Sequence, residues 1–198
     1  DDLLADTGSG CYTFSLSTPS GKIPHIRMTY PGILNVENAV AAGAAAFLAG
    51  ARPDEIRKGL QSYSGVKRRF DIRFRSDQTL YIDDYGHHPR ELKAFIRSVR
   101  LLWPGKMITG IFQPHLYTRT RDFAAEFAAS LDMLDTAVLL PIYPARELPI
   151  EGVTSALILK HMTSGHGVLS EKSEICPFIM KHPPEILLTM GAGDIELL

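Results

Sequence analysis

Cysteine is nearly absent from this chain: Cys11 and Cys176 are the only two in 198 residues, far apart and in no metal-type spacing. That sets aside a disulfide framework and a zinc site. The two could pair, but in a chain this long they read as free thiols of a reducing compartment. A surplus of either charge is lacking too. Twenty-one basic residues against 22 acidic ones leave a formal charge of −1, so no global field draws the chain to nucleic acid or anionic lipid. Long apolar runs are missing, and the Ala-rich stretch Ala39–Leu48 is too short to span a bilayer. The start, Asp1-Asp2-Leu3-Leu4, has no basic region and no signal-peptide core. The expected compartment is the cytoplasm. No repeat or low-complexity segment is evident, and His161, His166 and His182 show no ligand spacing. A phosphate loop needs Gly, four residues, then Gly-Lys-Ser/Thr. Gly21-Lys22 has Leu16 and Ile23 at the flanking positions, and Gly105-Lys106 has Arg100 and Met107, so the motif does not occur.

What is present is an ordinary globular composition, 45% hydrophobic and 22% charged, enough to bury a core. Residues 12–16 and 25–30 alternate in polarity around Thr18-Pro-Ser-Gly21, which predicts a hairpin after a leading loop. A helix follows from Asn35 to about Ala51 with Gly50 near its end, and a second opens at Pro53 with the stripe Ile56, Leu60, Tyr63. Ser64 to Phe70 reads as a domain junction. Beyond it strands alternate with helices: strand 79–83, helix 89–102, strand 107–112, helix 121–131, strand 136–141, helix near 154–162, a short strand around Val168, strand 185–190. This order predicts a mostly parallel sheet with helices on both faces. Both ends look cut, since Gly191-Ala-Gly-Asp194 opens a helix of which only Ile195–Leu198 remain.

Two strand ends carry the chemistry. Tyr81 to Glu91 places Asp83, Asp84, Tyr85, His87 and His88 where a strand runs out into a turn before Pro89. In α/β sheets ligands bind just beyond strand C-termini, so these groups are candidates to hold a carboxylate or ribose hydroxyl, or to move a proton. The bland alternative makes His88 merely the residue before the first helical turn. The next strand repeats the arrangement with Gln113, His115, Tyr117, Thr118, Arg119 and Arg121. Two arginines at a helix N-terminus oppose the dipole, and an anion there would account for them. Against that, Arg121 could simply pair with Asp122. Lys67-Arg68-Arg69 is either a solvated basic run or a phosphate contact between domains. Asn35 and Asn38 share a helix face; Asn35 could be a plain N-cap, whereas Asn38 inside a helix is not chosen for propensity.

At Asp83-Asp-Tyr-Gly-His-His-Pro89 and Phe112-Gln-Pro-His-Leu-Tyr-Thr-Arg-Thr-Arg-Asp122 the sequence closely resembles the Mur ligases, and among them those that add L-alanine to UDP-N-acetylmuramate. Pro31–Ala39, Gly65–Asp71, Tyr143-Pro-Ala145 with Glu147, and Gly191-Ala-Gly193 match as well, in family order. The resemblance implies that residues 1–68 are a small α+β remnant of a central ATP-binding domain and 69–198 a C-terminal Rossmann-like domain. It implies ATP with Mg2+ as cofactor, UDP-N-acetylmuramate and L-alanine as substrates, and an acyl-phosphate route to the amide in peptidoglycan precursor synthesis. By likeness Asn35 and Asn38 would touch the adenine, Arg69 the phosphates and Asp84 the ribose. Tyr85, His87, His115 and Arg119 would line the amino-acid and sugar-nucleotide side. Leu34 and Leu116 depart from a His and an Arg common in the family. The phosphate loop, the main magnesium ligands and the UDP-binding domain would lie outside this chain, so it is expected to be inactive alone.

Three other readings compete. A recycling ligase that adds a whole tripeptide has Asp-Asp-Phe-Ala-His-His-Pro where this chain has Tyr85-Gly86. Folylpolyglutamate synthase shares the architecture without the His pair. A non-catalytic module could bind a nucleotide or partner through the same strand ends.

Overall fold

The computed structural model describes residues 1–7 and 9–197. They form two compact units: Asp1–Val66 with Arg97–Gly105, and Lys67–Ile96 with Lys106–Leu198.

In the first unit, β1 (Leu4–Asp6), β2 (Cys11–Thr18) and β3 (Gly21–Met28) make an antiparallel sheet in that order. The hairpin falls where alternation placed it. The segment read as a leading loop instead supplies β1, whose three residues are too few to show a period. Tyr12, Phe14, Leu16, Ile23, Ile26 and Met28 are buried, and each of the last five stabilises the unit by about 1.5–3 kcal/mol. Helices α1 (Ile33–Leu48) and α2 (Pro53–Ser62) follow. α1 approaches β2 so closely that a Cβ on Gly43 would lie 2.7 Å from Leu16 Cδ2. Asn35 is not the N-cap. Gly32 takes that place with φ 100, and Asn35, already inside the helix, donates from Nδ2 to Pro31 O at 2.6 Å.

The second unit is a six-stranded sheet in the order β4-β5-β9-β6-β7-β8. Its strands are β4 (Asp71–Arg75), β5 (Leu80–Asp84), β6 (Ile108–Phe112), β7 (Thr136–Leu139), β8 (Gly167–Leu169) and β9 (Ile186–Met190). All pair in parallel except β4, an antiparallel edge strand. The connecting helices are α3 (Pro89–Leu102), whose residues from Arg97 on count with the first unit, α4 (Tyr117–Asp122), α5 (Ala124–Leu131), α6 (Ser155–His161) and α7 (Lys172–Lys181), and a 3-10 turn, Asp194–Leu197, ends the described chain. Right-handed crossovers carry the helices after β5, β6 and β7 to one face, where Phe127 of α5 meets Phe112 at 5.2 Å. The crossover from β8 to β9 runs back along the sheet. Its helix, α7, therefore covers the opposite face, and Ile175 packs with Ile111, Val138, Leu140, Leu187 and Ile195. The expected mostly parallel sheet with helices on both faces is what the chain forms.

β4, α4 and α7 were not foreseen. β4 reads Asp-Ile-Arg-Phe-Arg, and such charges suit an exposed edge while hiding the alternation. α7 contains Pro177, which ordinarily breaks a helix. It persists because Glu171 and Glu174 cap it reciprocally and Ile175 anchors it to the sheet. No helix among the described residues is long and apolar enough to cross a membrane.

Candidate functional site

β5, β9, β6 and β7 end next to one another in that order, and the loops that leave β5, β6 and β7 bring a row of rings together. Tyr85 stands edge-on to His87 at 5.3 Å, His87 lies 5.9 Å from His115, and His115 stacks on Tyr143 at 5.8 Å. Arg119 joins the row through Nη1, 3.3 Å from His115 Nδ1. A guanidinium only donates, so Nδ1 accepts and the imidazole proton sits on Nε2. Burial, then the charge of Arg119 and the neighbouring His87, holds the His115 pKa below its ordinary value. The pair thus offers an uncharged N–H and a cation, a set suited to an anionic oxygen.

Local backbone chemistry aims these groups. Leu116 adopts φ 73 at the entry to α4, and its N–H donates to Tyr143 O while Tyr143 N–H donates to Pro114 O. Glu147 accepts from the Thr118 N–H at 2.9 Å and from its hydroxyl, so a carboxylate 29 residues away caps the helix that carries Arg119. The dipole argument for an anion fails, because Arg119 and Arg121 lie in the last turn of α4, where cations are favourable. Arg121 pairs with Asp122 at 2.7 Å, the plainer of its two readings. His88 also stays out of the row. Its ring packs on Phe123 at 5.1 Å, its Nδ1 accepts from Arg90 N–H, and its carbonyl starts α3. Glu91 Oε2 accepts from the N–H groups of both His87 and His88 at 3.0 Å.

The basic run Lys67-Arg68-Arg69 divides. Arg68 and Phe70 are both left-handed, φ 62 and 55, and both side chains turn inward while Arg69 between them is exposed. Arg68 is 8% exposed and ion-pairs with Asp83 at 3.1 Å. Asp84 lies at the end of β5. Its two oxygens accept from Phe70 N–H at 2.8 Å and Gly86 N–H at 2.7 Å, and burial pushes its pKa up to about 6 against those amides. Gln113 donates from Nε2 to Asp194 at 3.0 Å and, with Tyr143, Lys172 and Asp194, borders a cavity of about 490 Å³ beside the row. Gly191 and Gly193 are held to glycine by contact: added Cβ atoms would lie 2.5 Å from Gln113 O and 2.4 Å from Gln113 Oε1. In the first unit Asn35 and Asn38 border a mostly apolar cavity of about 480 Å³ with Met28, Ile56 and Tyr63.

Sequence reasoning missed Arg68, Tyr143 and Glu147 as site residues. Nothing in a three-residue basic run tells which member turns inward, and Tyr143 and Glu147 reach the row through loop geometry that spacing does not encode.

Helices on both faces of a mostly parallel sheet define a Rossmann-like domain, with imidazole, guanidinium and phenol groups gathered where the strands end. The chain belongs to the Mur ligase family: the profile of the Mur ligase, glutamate ligase domain matches residues 68–193. The UDP-N-acetylmuramate–L-alanine ligase of Parabacteroides distasonis is 47% identical over 189 residues, which is 96% of this chain and 41% of that protein. That of Phocaeicola vulgatus is 47% identical over 190 residues, 96% of this chain and 42% of the relative. The solved UDP-N-acetylmuramate–alanine ligase of Thermotoga maritima shares the fold, with a TM-score of 0.79 at 23% identity over 98% of this chain and 43% of that one. The chain spans about two fifths of the length of the curated relatives it matches.

Proposed function

We propose that this chain is the C-terminal part of an ATP-dependent ligase that joins L-alanine to UDP-N-acetylmuramate in peptidoglycan precursor synthesis. The observation that carries the reading is the row Tyr85, His87, His115 and Tyr143 with Arg119 on His115, set in a sequence 47% identical to ligases of that name. Arg119 and the His115 Nε2–H hold anionic oxygens, those of alanine's carboxylate or of the activated substrate. Tyr85 and His87 wall the same side, and His88 supports the helix behind them.

The reaction takes the γ-phosphoryl group onto the substrate carboxylate with loss of ADP. The amine of alanine then attacks the acyl carbon, phosphate leaves and an amide forms. The magnesium ligands would lie outside this chain, and the ion would supply neutralisation of phosphoryl charge in such a transfer. Asn35 and Asn38 take the adenine edge: two amides beside apolar walls suit a flat heteroaromatic base. Arg69, outward and exposed, takes the phosphates, and Asp84 keeps one lone pair on each oxygen for the ribose. Residues 1–68 belong to the central domain and 69–198 to the C-terminal one.

The test is ADP release by the complete protein with ATP, magnesium and UDP-N-acetylmuramate. We expect release that depends on L-alanine and falls at least roughly 100-fold in His115→Ala and Arg119→Ala, with none from residues 1–198 alone. Release with the tripeptide instead of alanine would assign the recycling reaction. No release with either would leave a binding module.

A further inference from the structure

Arg68 is the best-connected buried cation among the described residues of the second unit, and the reaction above gives it no task. Its Nε donates to Asp83 Oδ2 at 3.1 Å, Nη2 to Gly191 O at 2.6 Å and Nη1 to Gly193 O at 3.3 Å. Asp83 is fixed in turn by the Thr189 hydroxyl, which donates to its other oxygen at 2.6 Å. Three of its five N–H groups are thus committed to β5 and to the turn after β9, and Glu196 Oε2 lies 3.6 Å from Nε. Arg68 Cζ also lies over the Tyr85 ring, 5.1 Å from its centroid. The main chain repeats the link, since Tyr85 N–H donates to Arg68 O at 2.6 Å. Tyr85 needs such support because 39% of it is exposed, and beyond Arg68 its ring touches His87 by an edge.

We propose that Arg68 is a positioning residue for the ligase reaction, one that touches no substrate and acts by holding the Tyr85 ring in the row against the Gly191–Gly193 turn. This rests on the functional reading above and adds a residue to it. Lysine is no substitute. A single ammonium reproduces the ion pair with Asp83, but it cannot serve two carbonyls and hold a cation over the Tyr85 ring at once.

The test uses the complete ligase and varies L-alanine. Arg68→Lys keeps the buried charge and so keeps the fold, verified by an unchanged circular dichroism spectrum and cooperative unfolding. We expect it to raise KM for L-alanine roughly tenfold, the scale of one lost cation–π contact, with a smaller change in kcat. The same substitution is then made in a Tyr85→Phe background, which keeps the ring, and in a Tyr85→Leu background, which removes it. Arg68→Lys should cost as much in the Tyr85→Phe background as in the parent, and less than twofold in the Tyr85→Leu background. Equal costs in both backgrounds would show that Arg68 works independently of the ring and overturn the proposal, as would an unchanged KM in Arg68→Lys itself. A parent enzyme without alanine-dependent ADP release would instead overturn the functional reading, a separate and recognisable outcome. Tyr85→Leu leaves the buried ion pair untouched, so the comparison does not hinge on any variant that removes the Arg68 charge.

Discussion

Asp84 is a carboxylate whose charge the fold resists. Burial holds its pKa near 6 even though two backbone amides donate to it. Because the folded value exceeds the ordinary 3.8, the native state binds the extra proton. The stability this confers is complete below pH 3.8 and is lost as pH rises through 6. Asp84→Asn lacks that titration. Relative to the parent it should therefore gain about 2 kcal/mol between pH 4.5 and 7.5, read from urea denaturation at the two values. A difference independent of pH would mean that Asp84 is ionised throughout. The strand end that carries Asp84 was legible because Asp, Tyr and His crowd together before a Pro. The neighbouring arginine was not: inward and outward members of Lys67-Arg68-Arg69 are sorted by two left-handed backbone positions, and neither Arg68 nor Phe70 announces such a φ.

At the scale of elements, the entry to α4 stores strain. Leu116 holds φ 73 with ψ 134, a region that costs a side-chain-bearing residue about 1–3 kcal/mol. Glycine there relieves the strain and gives back part of the gain in unfolded-chain entropy. Leu116→Gly should thus raise stability by about 0.5–1 kcal/mol, a Tm increase of roughly 2 °C, measured by scanning calorimetry. A fall of the size usual for Leu→Gly in a loop would remove the strain argument. Periodicity made α3 legible to the residue, because Leu92, Phe95, Ile96 and Val99 form one stripe and all are buried. α4 was hidden in Tyr-Thr-Arg-Thr-Arg-Asp, which shows no apolar stripe and depends on distant Glu147 for its cap.

For the whole molecule, the two thiols give an inexpensive check on the assignment of the core. Cys11 is buried and Cys176 exposed, and both are free. A thiol-specific dye should label one site per chain rapidly under native conditions and a second only after denaturation. Two fast sites would mean that the β2 sheet face is open. The order of the larger sheet has a different consequence, one of timing. β9 lies between β5 and β6 and pairs with both, yet its residues are made after all of theirs and after β7 and β8 as well. Until Ile186–Met190 emerge, β5 and β6 have no partner on their facing edges, and apolar residues such as Ile82 and Ile111, buried in the finished sheet, stay uncovered. Long-range pairing of this kind is slow and exposes sticky edges meanwhile. On the ribosome, nascent chains stalled before residue 186 should be cut readily by protease, with protection arriving abruptly once β9 clears the tunnel.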